Sequence, residues 1–454
     1  MARAKKEAAL TPEERLQAAL VPDWERPYKL PENWCWTTIK NVATVVTGGT
    51  PAKNNSDYYG GEFPFFKPAD LDAGRHVSEA SEYLSDLGKS VSRIIPAQAT
   101  AVCCIGSIGK CGFLDVEGAT NQQINSAIPY FNALYQYFYM NTEFFTNQLR
   151  NSASATTIAI VNKTKMESCY YPLAPLAEQQ RIVDRIESLF AKLDEAKEKA
   201  QAVVDSFETR KAAILHKAFT GELTAKWREE HGVGMESWEK KRLSDVVTEF
   251  KYGTSEKSDY NNKGMPVLRI PNIGDNGINL SDIKYLNHRN VDSESQIHEG
   301  DILIIRSNGS RDLVGKAVLV PELGCEYAYA SFLIRAKPNH SIINAHYLTI
   351  FLNSTDARGK MFRRAKSSAG INNINTKELG AISLTVPSLP EQDEIVHIIN
   401  EMMEKDQQSK EAAEAALDQI DLMKKSILAR AFRGELGTND PSEESAVELL
   451  KQII

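Results

Sequence analysis

The chain repeats itself, and the repeat limits what it can fold into more than any other feature. "EQQRIVDRI" at 178–186 returns as "EQDEIVHII" at 391–399, and "KAAILHKAFTGEL" at 211–223 returns as "KKSILARAFRGEL" at 424–436. Both matches fall at one shift of 213 residues without a gap, so two segments of about 46 residues agree in length as well as in wording. Self-similarity at a fixed period points to one structural unit used twice.

Each repeated segment reads as one long helix of about 65 Å at 1.5 Å per residue. In the first, Ile182, Ile186, Leu189, Leu193, Ala196, Ala200, Val203, Phe207, Arg210 and Ile214 recur at alternating steps of four and three. This is a heptad seam with Arg210 as its polar intrusion. The second places Ile395, Ile399, Met402, Asp406, Ser409, Ala413, Ala416, Ile420, Met423 and Ile427 at the same steps, with a weak middle. Neither stripe sustains a helix alone, so the two are expected to pair as an antiparallel coiled coil. Gly221 and Gly434 then cap the C-termini, because glycine enters the left-handed region without a steric cost.

The regions ahead of the helices match more loosely. "NWCWTTIKNVATVVTGGTP" at 33–51 resembles "SWEKKRLSDVVTEFKYGTS" at 237–255, pairing Trp34 with Trp238 and Gly49-Thr50 with Gly253-Thr254. Short β-rich runs broken by Ser/Gly/Asn turns follow. Each region closes on a helical stretch and an asparagine-bearing turn, Asn162 in one and Asn372, Asn373 and Asn375 in the other. The expected fold is α+β, with two β-rich globules separated by two long helices. The divisions are 1–30 (an N-terminal helical extension), 31–175, 176–235, 236–388, 389–436 and 437–454 (an acidic tail). In the extension, Thr11, Pro12 and Glu14 write a capping box.

With 454 residues the chain exceeds one ordinary core. No run approaches the roughly 18 apolar residues of a membrane span, and the start lacks a signal peptide's apolar region, so the chain is read as cytoplasmic. The net charge of −7 hides a split: residues 236–387 carry 20 basic and 17 acidic residues, whereas 388–454 carry 7 and 15. The acid sits in the C-terminal segment and does not forbid nucleic acid elsewhere. It does predict weak binding by the chain alone, because phosphate neutralisation supplies most nonspecific affinity. Cys35, Cys103, Cys104, Cys111, Cys169 and Cys325 show no zinc spacing and read as buried thiols.

Catalytic motifs are missing. "GSRDLVGKA" at 309–317 imitates a phosphate loop but has five residues between its glycines and Ala317 where a hydroxyl should hold magnesium. It reads as a turn and a strand. What recurs instead is polar loops with basic residues, the types that read base edges and hold phosphates. In the first globule these are Thr50, Lys53, Lys67, Ser107, Lys110, Asn121, Gln122, Gln123 and Lys163. In the second they are Thr254, Arg269, Arg306, Asn308, Ser310, Arg311, Lys316, Arg363, Arg364, Lys366, Ser367, Asn372 and Asn373.

The Pro-Leu-x-EQ-x-x-Ile-Val helix starts and the AFxGEL helix ends, together with "LPENWCWTTIKNVATVVTGGTP", resemble the specificity subunit of type I restriction–modification systems over about residues 30–436. The resemblance implies two target-recognition domains, each reading one half of a split DNA site, on a scaffold of paired helices. It implies docking of two adenine methyltransferase subunits, with a translocating nuclease subunit completing the complex. Phe219, Gly221, Leu223, Phe432, Gly434 and Leu436 are the expected partner-facing positions. No catalytic residue, metal or cofactor is expected on this chain; S-adenosylmethionine, ATP and Mg belong to the partners.

Two similar but non-identical globules on a pseudo-twofold frame imitate a dimer that reads two half-sites, so the site should not be a palindrome. Helix length would set the unread spacer. Asn121-Gln122-Gln123 has no clear second copy; near the matching place stands "EYAYASF". The tail "DPSEESAVELLKQII" is either a short amphipathic helix packing on a partner or a frayed end. The competing functions are a stand-alone DNA-modifying enzyme and a paired-domain adaptor that binds proteins.

Overall fold

The computed structural model describes residues 11–154, 159–261, 263–275, 277–289, 295–310, 312–368 and 371–454, the side chains of 366–371 excepted. It forms two compact units. Unit 1 is Met1–Ala200 with Ala415–Ile454, and unit 2 is Gln201–Glu414. Each unit therefore takes one β-rich region and a piece of each long helix.

The two units are built alike. In unit 1 a four-stranded antiparallel sheet runs in the order Ala43–Thr47, Ile124–Pro129, Thr100–Cys103, Cys111–Phe113. Unit 2 repeats it as Val247–Tyr252, Leu333–Pro338, Ile302–Ile305, Ala317–Leu319. Each unit has a second sheet, three-stranded in unit 1 and four-stranded in unit 2, with one parallel pairing, Phe65–Phe66 on Ala119–Thr120 and Val267–Leu268 on Ala328–Tyr329 respectively. A third, two-stranded pairing joins Cys35–Thr38 to Tyr170–Leu173, and Glu239–Arg242 to Ser383–Val386. The expected α+β architecture, doubled, is what forms.

The asparagine turns are helix starts. Asn162 caps Lys163–Glu167 and Asn375 caps Thr376–Gly380, each side chain accepting from a backbone N–H three residues on. These satisfy donors that a helix N-terminus leaves orphaned. Asn132 and Asn344 do the same for Ala133–Met140 and Ala345–Asn353. The Thr11 capping box is present, with Glu14 N donating to Thr11 Oγ1 at 3.2 Å and Thr11 N to Glu14 Oε2 at 2.8 Å.

The repeated "EQ" pair holds each long helix to its globule. Glu178 and Gln179 are both buried, as are Glu391 and Gln392. In unit 1, Trp34 Nε1 donates to Glu178 Oε2 at 2.7 Å; in unit 2, Trp238 Nε1 donates to Glu391 Oε2 at 3.0 Å. Gln179 accepts from Asn132 N and donates to the Ala174 carbonyl, and Gln392 repeats this with Asn344 N and the Pro387 carbonyl. The carboxylates differ in their remaining donors. Glu178 takes Asn439 Nδ2 at 2.8 Å and Thr438 Oγ1 at 3.3 Å, whereas Glu391 takes Thr224 Oγ1 at 2.7 Å and Arg228 Nη1 at 2.6 Å.

The first long helix is not continuous. It runs Leu176–Asp205 and Phe207–Thr220, interrupted at Ser206. The Ser206 hydroxyl bonds back to the Ala202 carbonyl at 2.6 Å and receives an Arg210 N–H, the kind of local bond that competes with regular helix. The second is unbroken over Leu389–Ala431. Pairing within each unit is antiparallel: Lys197 meets Asp421 at 3.1 Å and Lys424 meets Asp194 in unit 1, and Arg210 meets Asp406 at 2.6 Å in unit 2. The seam of the second helix departs from the expected one. Met402 and Met423 are exposed, and Ser409 and Ala416 face solvent, while Met403, Lys410, Leu417 and Lys424 take the inner positions. Two successive steps of four, Ile395 to Ile399 to Met403, shift the register. The lysines fit because their ammonium groups lie over rings, Lys410 over Phe207 and Lys424 over Phe190.

Gly221 and Gly434 have φ of +85° and +75°, as a left-handed cap requires. Of the phenylalanines of the repeated phrase, expected to face partner subunits, Phe432 is instead taken up by its own unit's core and Phe219 packs on its core while staying half-buried. Phe432 is 1% exposed and lies edge-on to Tyr135 and Tyr139 at 5.0 and 5.3 Å. Phe219 packs the same way on Tyr347 and Phe351 at 5.5 and 5.3 Å. Leu223 and Leu436 pack against the same cores, and a Cβ on Gly434 would stand 2.3 Å from Pro31 Cγ. A ring as fully covered as Phe432 offers a partner no surface, whereas Phe219, Leu223, Gly434 and Leu436 remain half-buried.

The acidic tail also folds onto its own chain. Its helix Ala446–Lys451 buries Ala446 and Leu450 in the unit 1 core, and Ala446 N donates to the Asn33 carbonyl at 2.9 Å.

Candidate nucleic-acid interface

The four-stranded sheets present one repeated edge. In unit 1 it is where Ala43–Thr47 and Thr100–Cys103 end and Ile124–Pro129 begins. In unit 2 it is where Val247–Tyr252 and Ile302–Ile305 end and Leu333–Pro338 begins. Strand register fixes the equivalences. Thr47 lies opposite Asn125 and Tyr252 opposite Ile334, while Cys103 meets Ile124 and Ile305 meets Leu333. Gly48 is therefore the partner of Gly253, one residue away from the pairing expected from sequence. Sterics agree: a Cβ on Gly48 would stand 2.1 Å from the Asn121 carbonyl oxygen, and one on Gly253 2.1 Å from that of Tyr329.

The same register finds the missing copy of Asn121-Gln122-Gln123. Asn121 N donates to the Phe66 carbonyl as Ala330 N does to that of Leu268. Cys104 N donates to the Gln123 carbonyl at 2.7 Å as Arg306 N does to that of Phe332 at 3.0 Å. The counterpart is Ala330-Ser331-Phe332. On the unit 1 edge, Thr50 donates to Gln122 Oε1, and Asn121 Nδ2 donates to Gln123 Oε1 at 3.0 Å. On the unit 2 edge, Arg306 lies 4.3 Å over the Tyr252 ring and donates to Asn373 Oδ1. Ser307 and Asn308 pair with Asn373 and Asn372 in strand register, and Asn372 also pairs with Ser367. Thr254 accepts from Glu256 N.

Several expected phosphate contacts are already paired with acids. Lys110 meets Asp72 at 2.5 Å and Lys316 meets Asp275 at 2.7 Å, in equivalent hairpin turns where Gly109 and Gly315 have φ of +91° and +85°. Lys67 meets Glu82 at 3.1 Å, Lys163 meets Glu167 at 3.5 Å, and Arg269 is tied to Asp282 at 3.0 Å and to its carbonyl. Lys53 and Ser310 are exposed, and Arg363 and Arg364 are exposed in the last turn of Thr355–Arg364. Arg311 and the side chains of Lys366 and Ser367 lie outside the described residues. Ser107 and Lys110 line a cleft of about 500 Å³ with Thr146 and Arg150, a cationic, hydroxyl-bearing recess. Edge and recess together provide amide and guanidinium groups beside cations, the chemistry of base and phosphate contact. Among the described residues no group of His, Cys, Asp and Glu could hold a metal, and no helix is long and apolar enough to cross a membrane.

The family model described as the type I restriction modification DNA specificity domain matches residues 31–204 and again 235–416. The chain belongs to this family. Among its relatives is the EcoKI specificity subunit of Escherichia coli K12, 26% identical across 94% of this chain and 96% of that one. The StySPI specificity subunit of Salmonella potsdam is 24% identical across 90% of both. The fold is shared with a solved chain from a study of assembly and conformational transition of the type I R-M system, with TM-score 0.68, 19% identity, and 90% and 100% of the two chains covered. It is shared also with the HsdS subunit of Thermoanaerobacter tengcongensis, with TM-score 0.60, 18% identity, and 91% and 100% covered.

Proposed function

We propose that the chain is the DNA-reading subunit of a type I restriction–modification complex, with each unit reading one half of a split, non-palindromic site. The observation that carries this is the repeated sheet edge. One backbone frame presents Asn121-Gln122-Gln123 in unit 1 and Ala330-Ser331-Phe332 with Arg306 in unit 2. A frame used twice with different side chains is what two different half-sites require. The long helices set the unread spacer and dock two methyltransferase subunits through their exposed faces, where Met402, Leu422 and Met423 stand in solvent. The chain supplies recognition and no catalytic step. S-adenosylmethionine, ATP and Mg act on the methyltransferase and translocase subunits, and the complex works in the cytoplasm.

The test is methylome sequencing of a host expressing the chain with its methyltransferase subunit, joined to a salt series of duplex binding. A two-part methyladenine motif with unlike halves, bound selectively and more weakly as salt rises, is the expected result. A palindromic motif, or binding without selectivity, would refute it.

A further inference from the structure

Phe332 occupies the position of Gln123, yet 57% of its surface is in water. Single exposed apolar residues are ordinary, so exposure alone carries little. Position is what sets this one apart. It stands at the edge that unit 1 fills with amides, and its backbone is fixed, with Arg306 N donating to its carbonyl and Leu333 N to that of Ala330. Arg306, lying over Tyr252, continues the edge from the next strand. Gln123 can donate and accept hydrogen bonds; Phe332 can do neither. In the major groove the apolar feature that separates one base from another is the C5-methyl group of thymine.

We propose that Phe332 is a specificity-determining residue of unit 2 that reads a thymine methyl group in its half-site, an inference that rests on the DNA-reading function above. A phenyl ring suits this role because it is large, loses little conformational entropy when ordered, and loses water on contact. Unit 1 and unit 2 then differ in the kind of contact made at one shared position, amide against apolar.

The experiment uses the chain co-expressed with its methyltransferase subunit. The half of the wild-type motif altered by Gln123→Ala belongs to unit 1. Phe332→Ala is expected to leave that half intact and to relax the other at one A·T position, and Phe332→Gln to change the preference there. Duplexes of the wild-type site are then made with uracil replacing one thymine at a time. One replacement in the unit 2 half should weaken the wild-type complex about fourfold, the worth of one buried methyl, and leave the Phe332→Ala complex unaffected. An unchanged motif in Phe332→Ala, or no sensitivity to uracil, overturns the proposal. So does an affinity loss uniform across sequences, which would mark a wedge between bases. A wild-type strain without a two-part motif would instead strike the underlying function, and the proposal with it.

Discussion

Glutamine in place of Glu391 should damage the protein far more than glutamine in place of Glu178, although the two residues hold the same place in the repeat. Both carboxylates are buried and both accept from an indole. Glu391, 0% exposed, also faces the guanidinium of Arg228, itself 8% exposed, at 2.6 Å. Arg228 is held further by Thr224 Oγ1 at 3.0 Å and the Gly221 carbonyl at 2.5 Å, so it cannot swing to solvent without breaking the helix cap. Glu391→Gln removes the counter-charge and strands a buried cation, which costs about 3–5 kcal/mol. Glu178→Gln keeps an acceptor for Trp34 and Asn439 and turns its amide toward the Thr438 hydroxyl, so about 1 kcal/mol is the expected loss.

The two-unit chain is not expected to unfold in one step, so the measurement should be local. Hydrogen exchange of the intact protein, followed by mass spectrometry, reports the opening energy of each helix start separately. Glu391→Gln should lower protection around 389–399 by about two to four powers of ten, and Glu178→Gln should lower it around 176–186 by one or less. Pairing Glu391→Gln with Arg228→Met should recover part of the loss, since no charge is then stranded. Equal effects at the two sites, or no recovery in the double variant, would refute the reasoning.

Phe432→Ala should cost about 3–5 kcal/mol, and Phe219→Ala, only partly buried, somewhat less; protection should fall in unit 1 and unit 2 respectively, and full protection in Phe432→Ala would count against the core assignment. Burial pushes the Cys35, Cys104 and Cys169 thiols up to about 12 and raises Cys103 and Cys111 too. Alkylation of the native chain at pH 8 should therefore mark the exposed Cys325 first, read by intact mass, and equal labelling of Cys104 would contradict this. Asp72→Asn or Asp275→Asn releases Lys110 or Lys316 from its acid, so the salt dependence of duplex binding by the complex should steepen by about 0.9 per lysine; an unchanged slope would remove these lysines from the phosphate contacts.

What could be read from the sequence is what physics forces into local wording. A left-handed cap favours glycine, and a helix start favours a side chain that can accept from its free N–H groups, so Gly221, Gly434 and Thr11 announce themselves. What stayed hidden depends on partners far along the chain. Glu178 looks like an acid in a helix's first turn, and only the fold brings Trp34, 144 residues away, to its oxygen. Phe432 looks like a feature of an exposed helix end until the ring-bearing helix of its own unit covers it, and Phe219 is covered in part in the same way. Lys410 and Lys424 look polar, yet they sit on the inner face with their charges over phenylalanine rings. The glycine pairing failed by one residue because sequence matching weighs letters, whereas strand register weighs hydrogen bonds, and a one-residue slip reverses the face of every side chain.

The division between what repeats and what differs follows burial. The indole–carboxylate bonds, the glutamine bridges and the aromatic clusters recur in both units with every member wholly or partly buried, where substitution costs several kcal/mol. Of the edge residues that differ, Gln122 and Gln123 against Ser331 and Phe332 are half-buried or exposed, where substitutions usually stay within about 0.5 kcal/mol, and only Asn121, against a half-buried Ala330, is buried. The edge is thus free to change its chemistry without disturbing the frame that aims it. That separation lets two units of one design carry an amide edge and an apolar one, and if these edges read bases, the preference of one should be alterable while the other is left untouched.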